Sequence, residues 1–314
     1  MLYSLTARCI GGRHQLDHFF AFLPAMKTAG FAYINLCFAE FQELLTADFD
    51  ICGFKERLDS YGLKVNFAHG PMKYPFLYHC PDLFVEHDKM MKALEISAAL
   101  SVKSFVIHLG SVLDEKGYVL PERSFVENVK YLRPYIEYGA SHDIGIAIEN
   151  GTNQPWDVPM DSGRSSEPKM MQEVSPSFDE LIAISDAFFR EYGKRVCGIC
   201  FDTGHAFLAG LDLQKEINKV GERLMVTHIH DNHGATDEHL PIGQGVIPWS
   251  EVCQGFANIR YNGELSLELY FPEEVMAVSK FSDVLFSAGE GLKRLGEKIG
   301  LSVAESQADY SDKE

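Results

Sequence analysis

Five histidines, two aspartates and two glutamates recur along the chain at intervals that match successive strand ends: His69, His108, Glu149, Asp202 with His205, His228, Asp237 with His239, and Glu268. Most close a short β-branched or aromatic run and precede Gly, Asn, Asp or Pro, as in VNFAHGP, SFVIHLG, GIAIENG, GICFDTGH, MVTHIHDN and LSLELYFP. Imidazole nitrogen and carboxylate oxygen are donors that zinc and manganese accept, and a catalytic ion keeps coordination positions open for water or substrate. In a barrel of parallel strands such positions converge on one rim, where these barrels place their active sites. A lone histidine at a strand end is usually structural, but nine such residues in one local pattern read as a metal-dependent barrel enzyme. Glu149, Asp202, His228 and Glu268 fall on the last four strands and can surround a single ion.

The elements that must position them alternate between strand-like and helix-like, the signature of βαβ units around a parallel sheet. Strands are expected at 2–8, 32–38, 64–69, 103–109, 144–149, 196–202, 224–230 and 264–270. Helices fall between them, clearest at 82–101, 121–142, 178–192 and 282–298, where apolar residues recur at three- and four-residue spacing. Pro121 and Ser177 are suited to helix starts. In GIAIEN, Ile146 and Ile148 should face the helices while Gly145, Ala147 and Glu149 face the lumen; in LSLEL, Leu265, Leu267 and Leu269 face out while Ser266 and Glu268 face in. A lumenal carboxylate without a cation or a full set of hydrogen bonds costs several kcal/mol. The expected fold is therefore an α/β protein, one (β/α)8 TIM barrel over residues 1–302, followed by a polar, acidic tail at 303–314.

Composition narrows the functions. The chain has 314 residues, 46% of them hydrophobic, enough for one large core. Its 28 Lys and Arg against 45 Asp and Glu give a formal charge of −17. Nucleic-acid affinity depends largely on cations that release counterions from phosphates, so such a partner is disfavoured. No apolar stretch approaches the roughly 18 residues of a membrane span, and the start lacks the pattern of a signal peptide. The seven cysteines are odd in number and scattered, which fits reduced thiols and a cytoplasmic location. Cys197 and Cys200 resemble a C-x-x-C pair but lie within a strand, where positions three apart point to opposite faces.

Two connections exceed the usual loop length: 151–177 after the fifth strand and 231–248 after the seventh. The first reads as a substrate lid, with Trp156 either a sugar-stacking platform or an anchor that packs the loop onto the barrel. The aromatic segment PMKYPFLYHC, after the third strand, reads as a wall of the site. His230 shares the parity of His228 and can serve as a donor behind the ligands or as a substrate contact; His233 reads as solvated. Gly243 and Gly245 either admit a phosphate to the backbone or make a flexible turn.

The stretch from His228, HIHDNHGATDEHLPIGQGVIPW, together with FDTGH at 201–205, resembles the xylose-isomerase-like TIM-barrel superfamily, which holds sugar-phosphate isomerases and epimerases as well as endonuclease IV-type abasic-site nucleases. The resemblance covers most of the chain. Its epimerase side implies that Glu149, Asp202, His228 and Glu268 bind a divalent ion (manganese, zinc, cobalt or magnesium), that the two glutamates are catalytic, and that His205 contacts substrate. Its endonuclease side implies up to three ions, with His69, His108, His205, Asp237 and His239 as additional ligands.

The expected chemistry is isomerisation or epimerisation of a sugar, sugar phosphate or related polyol or keto sugar. An ion that stabilises an enediolate makes the adjacent carbon-bound proton acidic, and two glutamates take and return it. The runner-up is a multi-zinc phosphodiester hydrolase, and dehydration by the same fold is a further alternative. The expected partner is a small carbohydrate, with no membrane and with pairing into a homo-oligomer through barrel helices left open.

Overall fold

The computed structural model describes residues 2–6, 16–38, 41–46, 48–71, 83–112, 114, 119–152, 155–156, 171–172, 177–271 and 278–300. Its strands are β1 (Leu2–Thr6), β2 (Tyr33–Cys37), β3 (Lys64–His69), β4 (Ser104–His108), β5 (Gly145–Glu149), the two-residue β6 (Pro155–Trp156) and β7 (Met171–Gln172), then β8 (Cys197–Asp202), β9 (Leu224–His228) and β10 (Glu264–Leu267). The antiparallel pair β6–β7 stands apart; the other eight strands are parallel neighbours in the order β10-β1-β2-β3-β4-β5-β8-β9. Just past the end of β9, Ile229 bridges Leu267, its N–H donating to Ser266 O at 2.8 Å while Glu268 N–H donates to Ile229 O at 3.1 Å. Thr227 Oγ1 extends this seam by donating to Glu264 O at 2.9 Å. A nearly closed (β/α)8 TIM barrel results, as the alternating pattern predicts.

Helices α1 (Leu16–Thr28), α2 (Ile51–Ser60), α3 (Leu83–Ala99), α4 (Pro121–Ser141), α5 (Phe178–Tyr192), α6 (Thr203–Leu208), α7 (Leu213–Val220), α8 (Trp249–Asn258) and α9 (Val278–Lys298) fill the connections. Pro121 opens α4, where its missing N–H is no loss, and Ser177 caps α5 by accepting from Glu180 N–H. Among the described residues no helix is long and apolar enough to cross a membrane.

Two apolar clusters show which way each strand residue points. The large one, between strands and helices, holds Ile146, Ile148, Cys197, Leu265, Leu267 and Leu269; the small lumenal one holds Phe67, Val106, Ala147, Cys200 and Val226. Ile146 against Ala147, and Cys197 against Cys200, therefore take opposite faces as period-two alternation requires. Below the small cluster the lumen turns polar. Asn35 Nδ2 donates to Ser4 Oγ at 2.7 Å and to Ser266 Oγ at 2.8 Å, and the carboxyl of Glu264 accepts from Asn35 and Asn66. Burial pushes that carboxyl above the usual range despite hydrogen bonds from Ser4, Asn66 and Asn35. The expected tail at 303–314 lies outside the described residues, as does most of the expected lid.

Candidate metal centre

Strand register brings the ligand residues to one mouth. His108 is the cross-strand partner of Glu149 on β4–β5, Asp202 is the partner of His228 on β8–β9, and Glu149 also lies beside Cys200 on β5–β8. Glu268 follows β10 at the seam with β9. Glu149, Asp202, His228 and Glu268 each place a ligand atom within 4.8 Å of the others, and all four are buried. Among the described residues three further groups meet the same limit: His69 with His108 and Glu149, His205 with His230, Asp237 and His239, and Glu149 with Cys200 and His228. All nine residues expected from the sequence are thus gathered at the rim, with Glu149 shared among three of the groups.

The ring orientations bear on what this crowd could hold. His69 Nδ1 lies 2.8 Å from Gly70 O, His205 Nδ1 lies 2.9 Å from Asn150 O, and His239 Nδ1 lies 3.0 Å from Glu268 O. A carbonyl oxygen only accepts, so each Nδ1 carries the hydrogen, and in the neutral ring Nε2 presents a lone pair. That lone pair faces Glu149 Oε2 at 3.0 Å from His69, and Asp237 Oδ2 at 3.3 Å from His205 and 2.8 Å from His239. A lone pair against a carboxylate oxygen repels unless positive charge lies between them, and either a proton on Nε2 or a divalent cation supplies it.

The proton equilibria express the same demand. Burial pushes His205 down, but the charges of Asp202 and Asp237 carry it well above the ordinary imidazole value. Glu149 is pushed up by burial yet held well below the carboxylate range by His228 and His108. Nitrogen and oxygen donors in this arrangement fit a divalent ion of the zinc or manganese type.

Local structure explains the precision. Asp202 ends β8 and caps α6, its Oδ1 accepting from His205 N–H at 2.7 Å, so the D-T-G-H run fixes two candidate ligands with one turn. Asn150 clasps the same residue, accepting Asp202 N–H at 2.8 Å and donating to Asp202 O at 3.1 Å. His230 Nε2 sits 3.0 Å from Asp202 Oδ1, the place of a donor behind the ligand, and its ring lies against Gly204, where any side chain would overlap it.

Asp231 organises the loop that follows. Its carboxylate accepts from Asn232 N at 3.0 Å, Gly243 N at 2.8 Å, Ile247 N at 3.1 Å and Trp249 Nε1 at 2.9 Å. A backbone bridge from Asp231 to Leu240 pins the residue next to His239. The Gly243 N–H is therefore committed to Asp231, and Gly245 packs on the Asn232 backbone, which gives both glycines of the expected turn a structural role. His233 is exposed and pairs with Glu238.

Trp156 is placed by its backbone alone, opposite Met171; its side chain and the segments 72–82 and 157–170 lie outside the described residues. Sequence reasoning passed over Asn150, Asp231 and the lumenal direction of Cys200. The first two directly follow named candidates, Glu149 and His230, and the third shares the parity of Asp202.

Residues 23–283 match the profile of the xylose isomerase-like TIM barrel family. Protein y4fM of Sinorhizobium fredii is 23% identical over 297 residues, covering 86% of this chain and 85% of its own. A probable endonuclease 4 of Thermoplasma acidophilum is 21% identical over 271 residues, covering 81% and 80%. Among solved structures, a D-tagatose 3-epimerase-like protein superposes with a TM-score of 0.69 at 20% identity, covering 96% of this chain and 98% of that one.

Proposed function

Because the chain belongs to the xylose isomerase-like TIM barrel family, we propose that it is a divalent-metal-dependent isomerase or epimerase of a small sugar, sugar phosphate or related polyol. The observation that carries the proposal is the convergence of Glu149, Asp202, His228 and Glu268, two of them glutamates from strands set apart around the barrel, within 4.8 Å at one buried mouth. The similarity to a D-tagatose 3-epimerase-like protein over nearly the whole chain supports a keto sugar as substrate class.

A bound divalent ion would supply positive charge to a substrate carbonyl and its neighbouring hydroxyl, which makes the adjacent carbon-bound proton acidic. Glu149 or Glu268 takes that proton, and the other returns one. Return to the opposite face of the same carbon inverts it; return to the neighbouring carbon exchanges aldose and ketose. His230 Nε2 lies 3.0 and 3.1 Å from the two Asp202 carboxylate oxygens and orients that group toward the centre, and His205 lies at the edge of the mouth as a substrate contact.

The test is solvent deuterium. In D2O, with manganese, cobalt, magnesium or zinc added in turn, a panel of ketoses, aldoses and their phosphates should include one whose C–H exchanges and whose epimer or isomer accumulates. No exchange anywhere in the panel overturns the proposal.

A second reading has its own supporting observation. The groups around Glu149 and around Asp237 add His69, His108, His205 and His239 to a centre that needs one ion for proton transfer, and a multi-ion hydrolase uses such extra ligands to generate hydroxide and stabilise a leaving oxygen. The similarity to a probable endonuclease 4 points the same way, and the charge of −17 opposes a DNA substrate. Three bound zincs per chain together with cleavage of an abasic-site oligonucleotide would select it.

A further inference from the structure

One lumenal side chain at the centre has no part in either reading. Cys200 is fully buried, points into the barrel, and stands directly beside Glu149 across the β5–β8 ladder. Its sulfur, a carboxylate oxygen of Glu149 and a ring nitrogen of His228 lie within 4.8 Å of one another. His228 is itself fully buried. Nδ1 faces Glu149 Oε1 at 2.8 Å and Glu268 Oε2 at 3.2 Å, while Nε2 has no hydrogen-bond partner. A second donor set, sulfur, nitrogen and oxygen, therefore overlaps the oxygen-rich set of Glu149, Asp202, Glu268 and His228 and shares two of its members.

We propose that Cys200, Glu149 and His228 form a site for a thiophilic divalent cation of the cadmium class, exclusive with the oxygen-rich centre because both need Glu149 and His228. It rests on the metal-centre reading and adds a regulation to it: the identity of the cation decides which set closes. Hard ions such as manganese and magnesium prefer carboxylate oxygen and leave the thiol protonated, whereas soft ions favour sulfur. Binding forms a metal–sulfur bond and breaks the S–H bond, the proton leaving to solvent, with no change of oxidation state. A chain loaded with a soft ion at this site holds Glu149 away from proton transfer and is inactive. The thiol thereby makes the enzyme one that soft cations inhibit.

The experiment uses the full chain stripped with a chelator and titrated with cadmium or with manganese. Cadmium should give one equivalent of sulfur-to-metal charge-transfer absorption in the ultraviolet, absent from Cys200→Ser and from Cys200→Ala. Cadmium affinity should fall at least tenfold in both variants while manganese affinity, read by electron paramagnetic resonance, stays within twofold. One equivalent of cadmium should also block manganese binding to the wild-type chain. An absent band, an equal band in wild type and both variants, or manganese binding undisturbed by cadmium would overturn the proposal. Failure of manganese to bind either chain would instead strike at the oxygen-rich centre, and the cadmium band reports on the thiol separately.

Discussion

One strand, β10 with its continuation, carries two inward glutamates four residues apart, and their surroundings give them opposite chemistry. Glu268 joins His228, Asp202 and Glu149, where its charge is of use to a cation. Glu264, near the other end of the lumen, meets only neutral donors and is raised by burial. The same substitution should therefore give different results at the two sites. Glu149→Gln and Glu268→Gln should each lower turnover on the true substrate by about 10²–10⁴-fold, with circular dichroism and unfolding midpoint unchanged, since the amide keeps the size. Near wild-type turnover in either variant would break the two-carboxylate mechanism. Glu264→Gln should keep activity, and its stability difference from wild type should depend on pH with a definite sign. Below the unfolded value near 4.3 both states are protonated and the two chains match. As pH rises past it the unfolded wild-type chain ionises first, so wild-type stability falls relative to the variant until the raised folded value is passed. Urea unfolding between pH 3.5 and 7 reads this, and a difference constant across that range would refute the buried neutral acid.

At the scale of elements, what the sequence could and could not disclose follows from the range of the forces involved. Strand parity is local, so the faces of Ile146, Ala147, Leu267 and Glu268 could be read from alternation, as could the caps at Pro121 and Ser177. The candidates His69, His108, Glu149, Asp202 and His228 were legible because each ends a strand with one short motif. The loop after β9 was legible as the carrier of Asp237 and His239 but not in its construction, because that depends on one carboxylate gathering N–H groups up to 18 residues away. Asp231 is fully buried, and its removal leaves the amides of Gly243 and Ile247 and the indole of Trp249 without their acceptor. Asp231→Ala should thus cost about 2–4 kcal/mol in denaturant unfolding. It should also open 233–246 to limited proteolysis and weaken any ion held by Asp237 and His239 while sparing the Glu149, Asp202, His228 and Glu268 set. A loop that stays protease-resistant in this variant would show that packing alone holds it.

Across the whole molecule the two ends of the barrel divide the work. The candidate ligands occupy the C-terminal mouth, where the lid expected at 151–177 gave no periodicity from which its structure could be read. The N-terminal end carries arrangements of a different kind. Asp186 on α5 receives Arg223 Nε on Oδ1 and Nη2 on Oδ2, both at 2.8 Å, and Arg195 Nη1 on Oδ1 at 3.1 Å. Arg195 precedes β8 and Arg223 precedes β9, so one carboxylate ties a helix to the roots of the two strands that deliver Asp202 and His228. The hydrogen bond from Arg223 lowers Asp186 below its usual value, with burial opposing and Arg195 adding to the shift. Because the folded value is depressed, its stabilisation is complete above the unfolded value near 3.9 and is lost as pH falls through the folded one. With the side chain a quarter exposed, the network contributes about 1 kcal/mol. Asp186→Asn should lower the unfolding free energy from urea denaturation at pH 7 by that amount and leave metal affinity at the far mouth unchanged, and the gap to wild type should close as pH drops from about 4 toward 2. A gap that holds or widens in acid would assign the destabilisation to packing instead of charge, and a simultaneous loss of metal would mean that the two ends of the barrel are coupled.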